Sequence, residues 1–286
     1  MRTIRILTLG NSFSGNALRY LKRIAEGTDA VRFEVGQADL GGCSLEKHWN
    51  LSKYTEKQPE LKTYNLWKND DGTSVEMNLQ ESLVAKPWDI IVLQQVSQGS
   101  WRRETFEPWL EQLHDMVSVV APQARIMLHQ TWAYRTDSPY LTENCMTQEV
   151  MHNRIHDNYQ YYADKYNCVI LPSGDAVNNA RQAPGCKYLW PDTEYDFQHP
   201  VAPLLPKQEN SFAVGWHWKF TQAANGIPEL ALDTNHLNAR GCYLSSAVWF
   251  EAMAGISIHD SQYTPDDLAL SDVEFLRDIA HLTPKK

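Results

Sequence analysis

No Cys-x-x-Cys pair occurs in this chain. Its five cysteines (Cys43, Cys145, Cys168, Cys186 and Cys242) are scattered and odd in number. That argues against a structural zinc site and a full disulfide framework, and fits free thiols in a reducing compartment, with one extracellular disulfide still compatible. Long runs of one charge sign are missing too. With 26 basic and 35 acidic residues the net charge is −9, so no broad positive surface exists for nucleic acid, which is not an expected partner. Met1-Arg2-Thr3 leads straight into a strand-like segment, without the apolar stretch of a signal peptide, a stop-transfer segment or a lipidation motif. The chain as it stands is expected in the cytoplasm, with no membrane partner; loss of a leader would make it an exported protein instead. Repeats and low-complexity tracts are also lacking. Gly-x-Ser-x-Gly is absent, because Ser14 stands where its second glycine would be, and this disfavours an α/β-hydrolase elbow.

What is present is material for a core: 43% of the 286 residues are hydrophobic. Apolar strand-like runs at Ile4–Leu9, Val31–Ala38, 89–94, 124–129 and 168–171 alternate with helical patterns at 17–25, 45–53, 79–85, 106–120, 147–165 and, as the last helix, 239–254. Such alternation predicts an α/β protein, a flavodoxin-like parallel sheet of about five strands covered on both faces. One domain spanning 1–286 is expected, with two insertions. The first, at about 59–78, is a hairpin whose turn is Asp70-Asp71-Gly72. The second, 183–230, is rich in proline and aromatics without a steady period and reads as a long surface loop.

The first strand ends in Gly10-Asn11-Ser12-Phe13-Ser14, which places a serine at the carboxyl end of a strand, where open α/β sheets bind ligands. Far downstream, Asp233-Thr234-Asn235-His236 offers an acid and a base three residues apart, within one tight turn. A serine hydroxyl needs a base in hydrogen-bond reach, and the base needs a carboxylate to hold its tautomer. Ser12, His236 and Asp233 are therefore the candidate nucleophile, base and orienting acid. Taken alone, Ser12 would more often be a helix cap; Ser14 is the better capping candidate and the fallback nucleophile.

These blocks resemble the SGNH (GDSL-like) hydrolase superfamily. Gly10-Asn11-Ser12-Phe13-Ser14 matches its first block, a glycine of Gly41-Gly42 its second, and Asp233-x-x-His236 its last. The finer resemblance is to the DUF4886-like branch, through Leu9–Ser14, Gly41–Leu45, Trp88–Gln95 and Gln130–Tyr134. The resemblance implies a three-layer α/β/α fold and ester hydrolysis through an acyl-enzyme, with no metal or organic cofactor. It also implies an oxyanion hole made of the Ser12 N–H, a glycine N–H and a side-chain amide, donors worth roughly 3–4 kcal/mol each. Gly42 is the favoured glycine, lying further past the strand end. Two departures stand out. Asn11 occupies a position that is more commonly aspartate, and the expected Gly-x-Asn after the third strand is missing. Strand register puts Gln98 opposite that asparagine, with Gln95 as the rival.

Other features have bland readings. His152-x-x-x-His156 has metal-ligand spacing on a helix, but Asn153 replaces the glutamate of a zincin motif, so a solvated face is expected. Ten tryptophans are many for this length, and most should pack in the core or loops. Those beside the serine would suit stacking on sugar rings, with His48, Trp132 and Trp216 as candidate substrate contacts. The expected function is hydrolysis of short acyl esters, acetyl first, on a small molecule or glycan. The competing readings are a carbohydrate-binding protein without turnover and a sugar O-acyltransferase. Oligomeric state is not legible.

Overall fold

The computed structural model describes residues 1–68, 74–220 and 228–285. Five strands, β1 (Arg2–Gly10), β2 (Val31–Asp39), β5 (Ile90–Leu93), β6 (Arg125–His129) and β7 (Val169–Leu171), form one parallel sheet in the order β2-β1-β5-β6-β7. This is the flavodoxin-like order, with helices on both faces. All four residues of β5 are buried, as are the last five of β1, which is why these strands read as unbroken apolar runs rather than alternating ones. The order reverses between β1 and β5, so a crevice opens outside their carboxyl ends.

Helices α1 (Ser12–Leu18) and α2 (Leu21–Glu26) follow β1, and α3 (Leu45–Lys57) follows β2. Then come α4 (Leu79–Val84), α5 (Ser97–Ser100), α6 (Trp109–Val120), α7 (Pro139–Glu143), α8 (Gln148–Tyr166), α9 (Ser173–Gln182), α10 (Ala239–Ala254) and α11 (Leu270–Leu282). Helix α10 is buried almost all round, because it packs against α1, α2, α9 and α11 as well as the sheet. No helix among the described residues is long and apolar enough to cross a membrane.

Four expectations need correction. The helix expected over 17–25 is broken after α1, where the Tyr20 N–H turns to Ser246 Oγ (3.2 Å) and the Tyr20 hydroxyl to Asp267, so tertiary partners replace helical ones. The chain does not end its helices with α10: α11 follows, burying Val273, Leu276 and Ala280. Helix α9, unforeseen, sits after Pro172. The stretch 183–230 is not all loop, since β8 (Ala213–Lys219) pairs antiparallel with β9 (Glu229–Leu237). The hairpin strands β3 (Tyr64–Lys68) and β4 (Ser74–Met77) pair antiparallel, while the turn expected at Asp70-Asp71-Gly72 lies outside the described residues.

Candidate active site

Ser12 is exposed while Asn11, Phe13 and Ser14 around it are buried. Asn11 is the cap of α1: it is extended (φ −150°), and its Oδ1 accepts the Phe13 N–H at 3.1 Å. The hydroxyl at Ser12 is thus left free to face outward. Ser14 neither caps nor faces solvent; its Oγ donates to Gln94 Oε1 at 2.8 Å. The turn is tight, because a Cβ on Gly10 would lie 2.2 Å from Ser14 Oγ and 3.0 Å from Gln94 Oε1. A side chain at position 10 would force Ser14 and Gln94 out of this arrangement.

Asparagine at position 11 has a local reason. Its Oδ1 accepts two N–H groups, from Phe13 and from Gln94 Nε2 (2.7 Å), while its Nδ2 donates to the Cys43 carbonyl at 3.0 Å. Aspartate could accept both but could not donate to Cys43, so the amide ties the Gly42 turn to the serine turn. The same network orders His129. Gln94 Oε1 can only accept, so His129 Nδ1 carries the proton (2.9 Å), and its Nε2 is left without a donor. Burial pushes this ring down to about 3, and it stays neutral.

Across the crevice, Ser12 Oγ lies 2.8 Å from His236 Nε2, and His236 Nδ1 lies 2.8 Å from Asp233 Oδ2. Asp233 and His236 lie near the end of β9, where the ladder with β8 is interrupted: Asp233 pairs with Gly215 and Leu237 with Ala213, so residues 234–236 bulge out between them. The other carboxylate oxygen, Oδ1, accepts the N–H groups of Asn235 (3.2 Å) and His236 (2.9 Å), which brings the two side chains together. Burial pushes the Asp233 carboxyl up, but hydrogen bonds from the His236 ring and backbone outweigh it and hold the group below its ordinary value. The bond to Asp233 raises His236 above the usual histidine value, against an opposing effect of burial. Asp233 accepts at Nδ1, so that nitrogen holds the proton and Nε2 presents its lone pair to the serine.

Each residue of 234–237 is fastened to another element. Thr234 C=O accepts the Arg135 N–H (2.9 Å), and Thr234 Oγ1 donates to Ser138 Oγ (2.8 Å). Asn235 C=O accepts the Trp132 indole N–H (2.7 Å), and the Leu237 N–H donates to Asn16 Oδ1 (3.0 Å). Phe13 stacks on Trp132 with ring centres 4.1 Å apart and meets His236 edge-on at 5.7 Å. Trp132 is therefore no substrate contact; it is 1% exposed and supports the histidine from below. Among sequence signals, only its place just past the carboxyl end of β6 hinted at such a role, and Asn16 and Phe13 had none beyond nearness to Ser12.

A cleft of about 170 Å³ over Ser12 and His236 is also lined by Gly42, Ser97, Gln98, Tyr134 and Asn235. Gly42 has φ +61°, a left-handed conformation suited to glycine, and its N–H meets no acceptor among the described residues. The Ser12 N–H is at the first position of α1 and has no helical acceptor. Gln98 is exposed, and its side-chain amide makes no hydrogen bond among the described residues. Gln95 is different. Its Oε1 accepts from Leu45 N and Val96 N, and its Nε2 donates to the Thr105 carbonyl at 2.7 Å and hydroxyl at 3.2 Å, so no donor is left over.

Two further expected contacts are displaced. His48 is fully buried: its Nε2 donates to the Gly10 carbonyl (3.0 Å), and its Nδ1 accepts the Tyr64 hydroxyl (2.9 Å). It braces the end of β1 from within. Trp216 lies on β8 in an aromatic cluster with Trp190 and Phe197, and does not line the cleft. His156 Nδ1 sits 3.0 Å and His152 Nε2 3.7 Å from Asp175, so the His-x-x-x-His face is not simply solvated but grips a carboxylate of α9. Among the described residues, no group of three or more His, Cys, Asp or Glu is arranged to hold a metal ion.

The family model described as "Domain of unknown function (DUF4886)" matches residues 5–189, which include Ser12, Gly42 and Gln98 and stop short of Asp233 and His236. No curated protein matches the chain. Among solved structures, a DUF4886 family protein from Bacteroides uniformis is 24% identical, with a TM-score of 0.72 over 98% of this chain and 93% of that one. A protein from Slackia heliotrinireducens assigned to the SGNH hydrolases is 18% identical, with a TM-score of 0.52 over 87% of this chain and 98% of that one. Matched over more than half its length, the chain belongs to the DUF4886 family, on the α/β/α fold of the SGNH (GDSL-like) hydrolases.

Proposed function

We propose that this protein is a serine esterase that hydrolyses short acyl esters, acetyl esters foremost. The observation that carries the reading is the chain of contacts from Ser12 through His236 to Asp233, each 2.8 Å long. Ser12 Oγ attacks the ester carbonyl as His236 Nε2 takes its proton. The resulting oxyanion is held by the N–H groups of Ser12 and Gly42 and by the Gln98 amide. On collapse, His236 returns the proton to the leaving alcohol oxygen, leaving Ser12 acylated. Water, deprotonated by the same imidazole, then releases the acid and regenerates the serine.

Size and polarity support the substrate class. About 170 Å³ is small beside the roughly 300–1,000 Å³ of drug-sized sites, which suits an acetyl group better than a long acyl chain. Ser97, Gln98 and Asn235 offer polar contacts to a hydroxyl-rich alcohol, and this supports a carbohydrate as the acetyl carrier.

The test is turnover of p-nitrophenyl acetate and of acetylated glycans by the wild type, Ser12→Ala and His236→Ala. Activity only in the wild type supports the proposal. Equal inertness of all three, with glycan binding retained, would favour a binding protein instead.

A further inference from the structure

A second cavity of about 320 Å³ lies behind the wall of the catalytic cleft. The wall is the segment after β6: Tyr134 lines the cleft, while Arg135 and Thr136 line the cavity. Three of the cavity's residues are cationic, Arg135, Arg181 and Lys187, and none is acidic. In a chain of net charge −9 this local imbalance is unusual.

The three cations are not equivalent. Arg135 is satisfied: its Nε and Nη2 make a two-pronged pair with Asp137 at 2.7 and 2.8 Å, and its Nη1 donates to Gln208 and Ser211. The Asp137 carboxylate is fully buried and also accepts the Tyr188 hydroxyl, so its charge is spent on Arg135. Among the described residues Arg181, on α9, makes one hydrogen bond, from Nη1 to the Ala133 carbonyl at 2.8 Å. No carboxylate pairs with it among the described residues. Burial, and then the neighbouring Arg135 charge, push it down to about 10. The guanidinium retains four donors in a fixed planar fork, and none of them is a buried atom without a partner, so they face accessible space.

We infer that this cavity is a binding site for a small carboxylate-bearing molecule, held by the Arg181 fork with Lys187 at the rim. A planar carboxylate matches a guanidinium through two parallel hydrogen bonds. Gln148 and Asn210 also line the cavity. Their amide nitrogens donate to the carbonyls of Tyr134 and of Gly185 and Lys187, which leaves their side-chain oxygens to accept from hydroxyl groups on the rest of the ligand. The volume suits a molecule of about monosaccharide size. The same carboxylate could arrive on a free metabolite or on an acidic unit of a glycan ester. The inference does not depend on the esterase reading.

The experiment is calorimetric titration of the whole protein with D-glucuronate, D-glucose and inorganic phosphate, in low-anion buffer, for wild type, Arg181→Gln and Lys187→Gln. Glucuronate should bind the wild type, weaken with salt, and lose at least tenfold in affinity in Arg181→Gln and several-fold in Lys187→Gln; glucose should not bind. Equal glucuronate affinity in wild type and Lys187→Gln, or no binding to the wild type, overturns the site even if Arg181→Gln fails to fold. Binding of phosphate but not glucuronate overturns the carboxylate assignment. With the site in hand, glucuronate that leaves aryl acetate hydrolysis unchanged marks a free ligand, whereas a lower KM for acetylated uronate glycans than for neutral ones, abolished by Lys187→Gln, marks an acidic substrate unit.

Discussion

The Trp132 indole donates its N–H to the carbonyl of Asn235, 2.7 Å away, one residue before the histidine that faces Ser12. A side chain just past the end of β6 thereby sets the height of the β9 segment above the sheet. Its ring also backs Phe13, so one residue supports both the Ser12 side and the His236 side of the cleft.

Trp132→Phe keeps an aromatic ring for the stack and removes the hydrogen bond. We expect kcat on p-nitrophenyl acetate to fall about tenfold or more, since a small displacement of the base is enough. Loss of one hydrogen-bond partner should cost about 1–3 kcal/mol of stability, read from urea melts. Wild-type kcat in a folded variant would show that the tie does not position His236.

The activity should depend on pH through the imidazole. His236 must be neutral to accept the serine proton, and Asp233 raises it above the ordinary histidine value of about 6.5. The acid limb of kcat/KM is therefore expected above that value. Asp233→Asn removes the charge that raises it, so the limb should move to lower pH while the rate drops roughly 10³–10⁴-fold. A limb that stays in place after this substitution would mean that another group controls it.

Gln98 and Gln95 should separate cleanly. Gln98→Ala removes an exposed, unengaged amide, so kcat should fall roughly 10²–10³-fold with the melting temperature unchanged. Gln95→Ala orphans the N–H groups of Leu45 and Val96 and the Thr105 carbonyl, at about 1–3 kcal/mol for each buried group, so stability falls first. Full activity in Gln98→Ala would remove it from the oxyanion site.

Acid should loosen the strand beneath the nucleophile. Burial pushes His48 down to about 4, so between about pH 6.5 and 4 the unfolded chain takes up a proton that the folded chain refuses. Stability is lost as pH falls through that window. At about 1.4 kcal/mol per unit, the loss from this residue between pH 7 and 4.5 is about 2–3 kcal/mol. Urea melts of His48→Gln should show a correspondingly flatter pH dependence; identical slopes would contradict the assignment.

Much of this architecture is local enough to be read along the chain. Unbroken apolar runs such as Ile90–Leu93 announce strands buried on both faces, and Gly10-Asn11-Ser12 announces a tight turn at a strand end. Chain order also carries the serine, aspartate and histidine, because a triad's residue types and the spacing of Asp233 and His236 are properties of sequence. What the chain could not disclose was which aromatic or amide side chains are spent on other partners. His48, Trp132 and Gln95 carry groups that look available for a substrate, yet each is consumed by contacts to residues such as Tyr64, Asn235 and Thr105 that only folding brings near. The split of α1 from α2, the pairing of β8 with β9 and the lack of a carboxylate beside Arg181 among the described residues share that origin. Periodicity and motif depend on neighbours in the chain, whereas the fate of a polar group depends on neighbours in space.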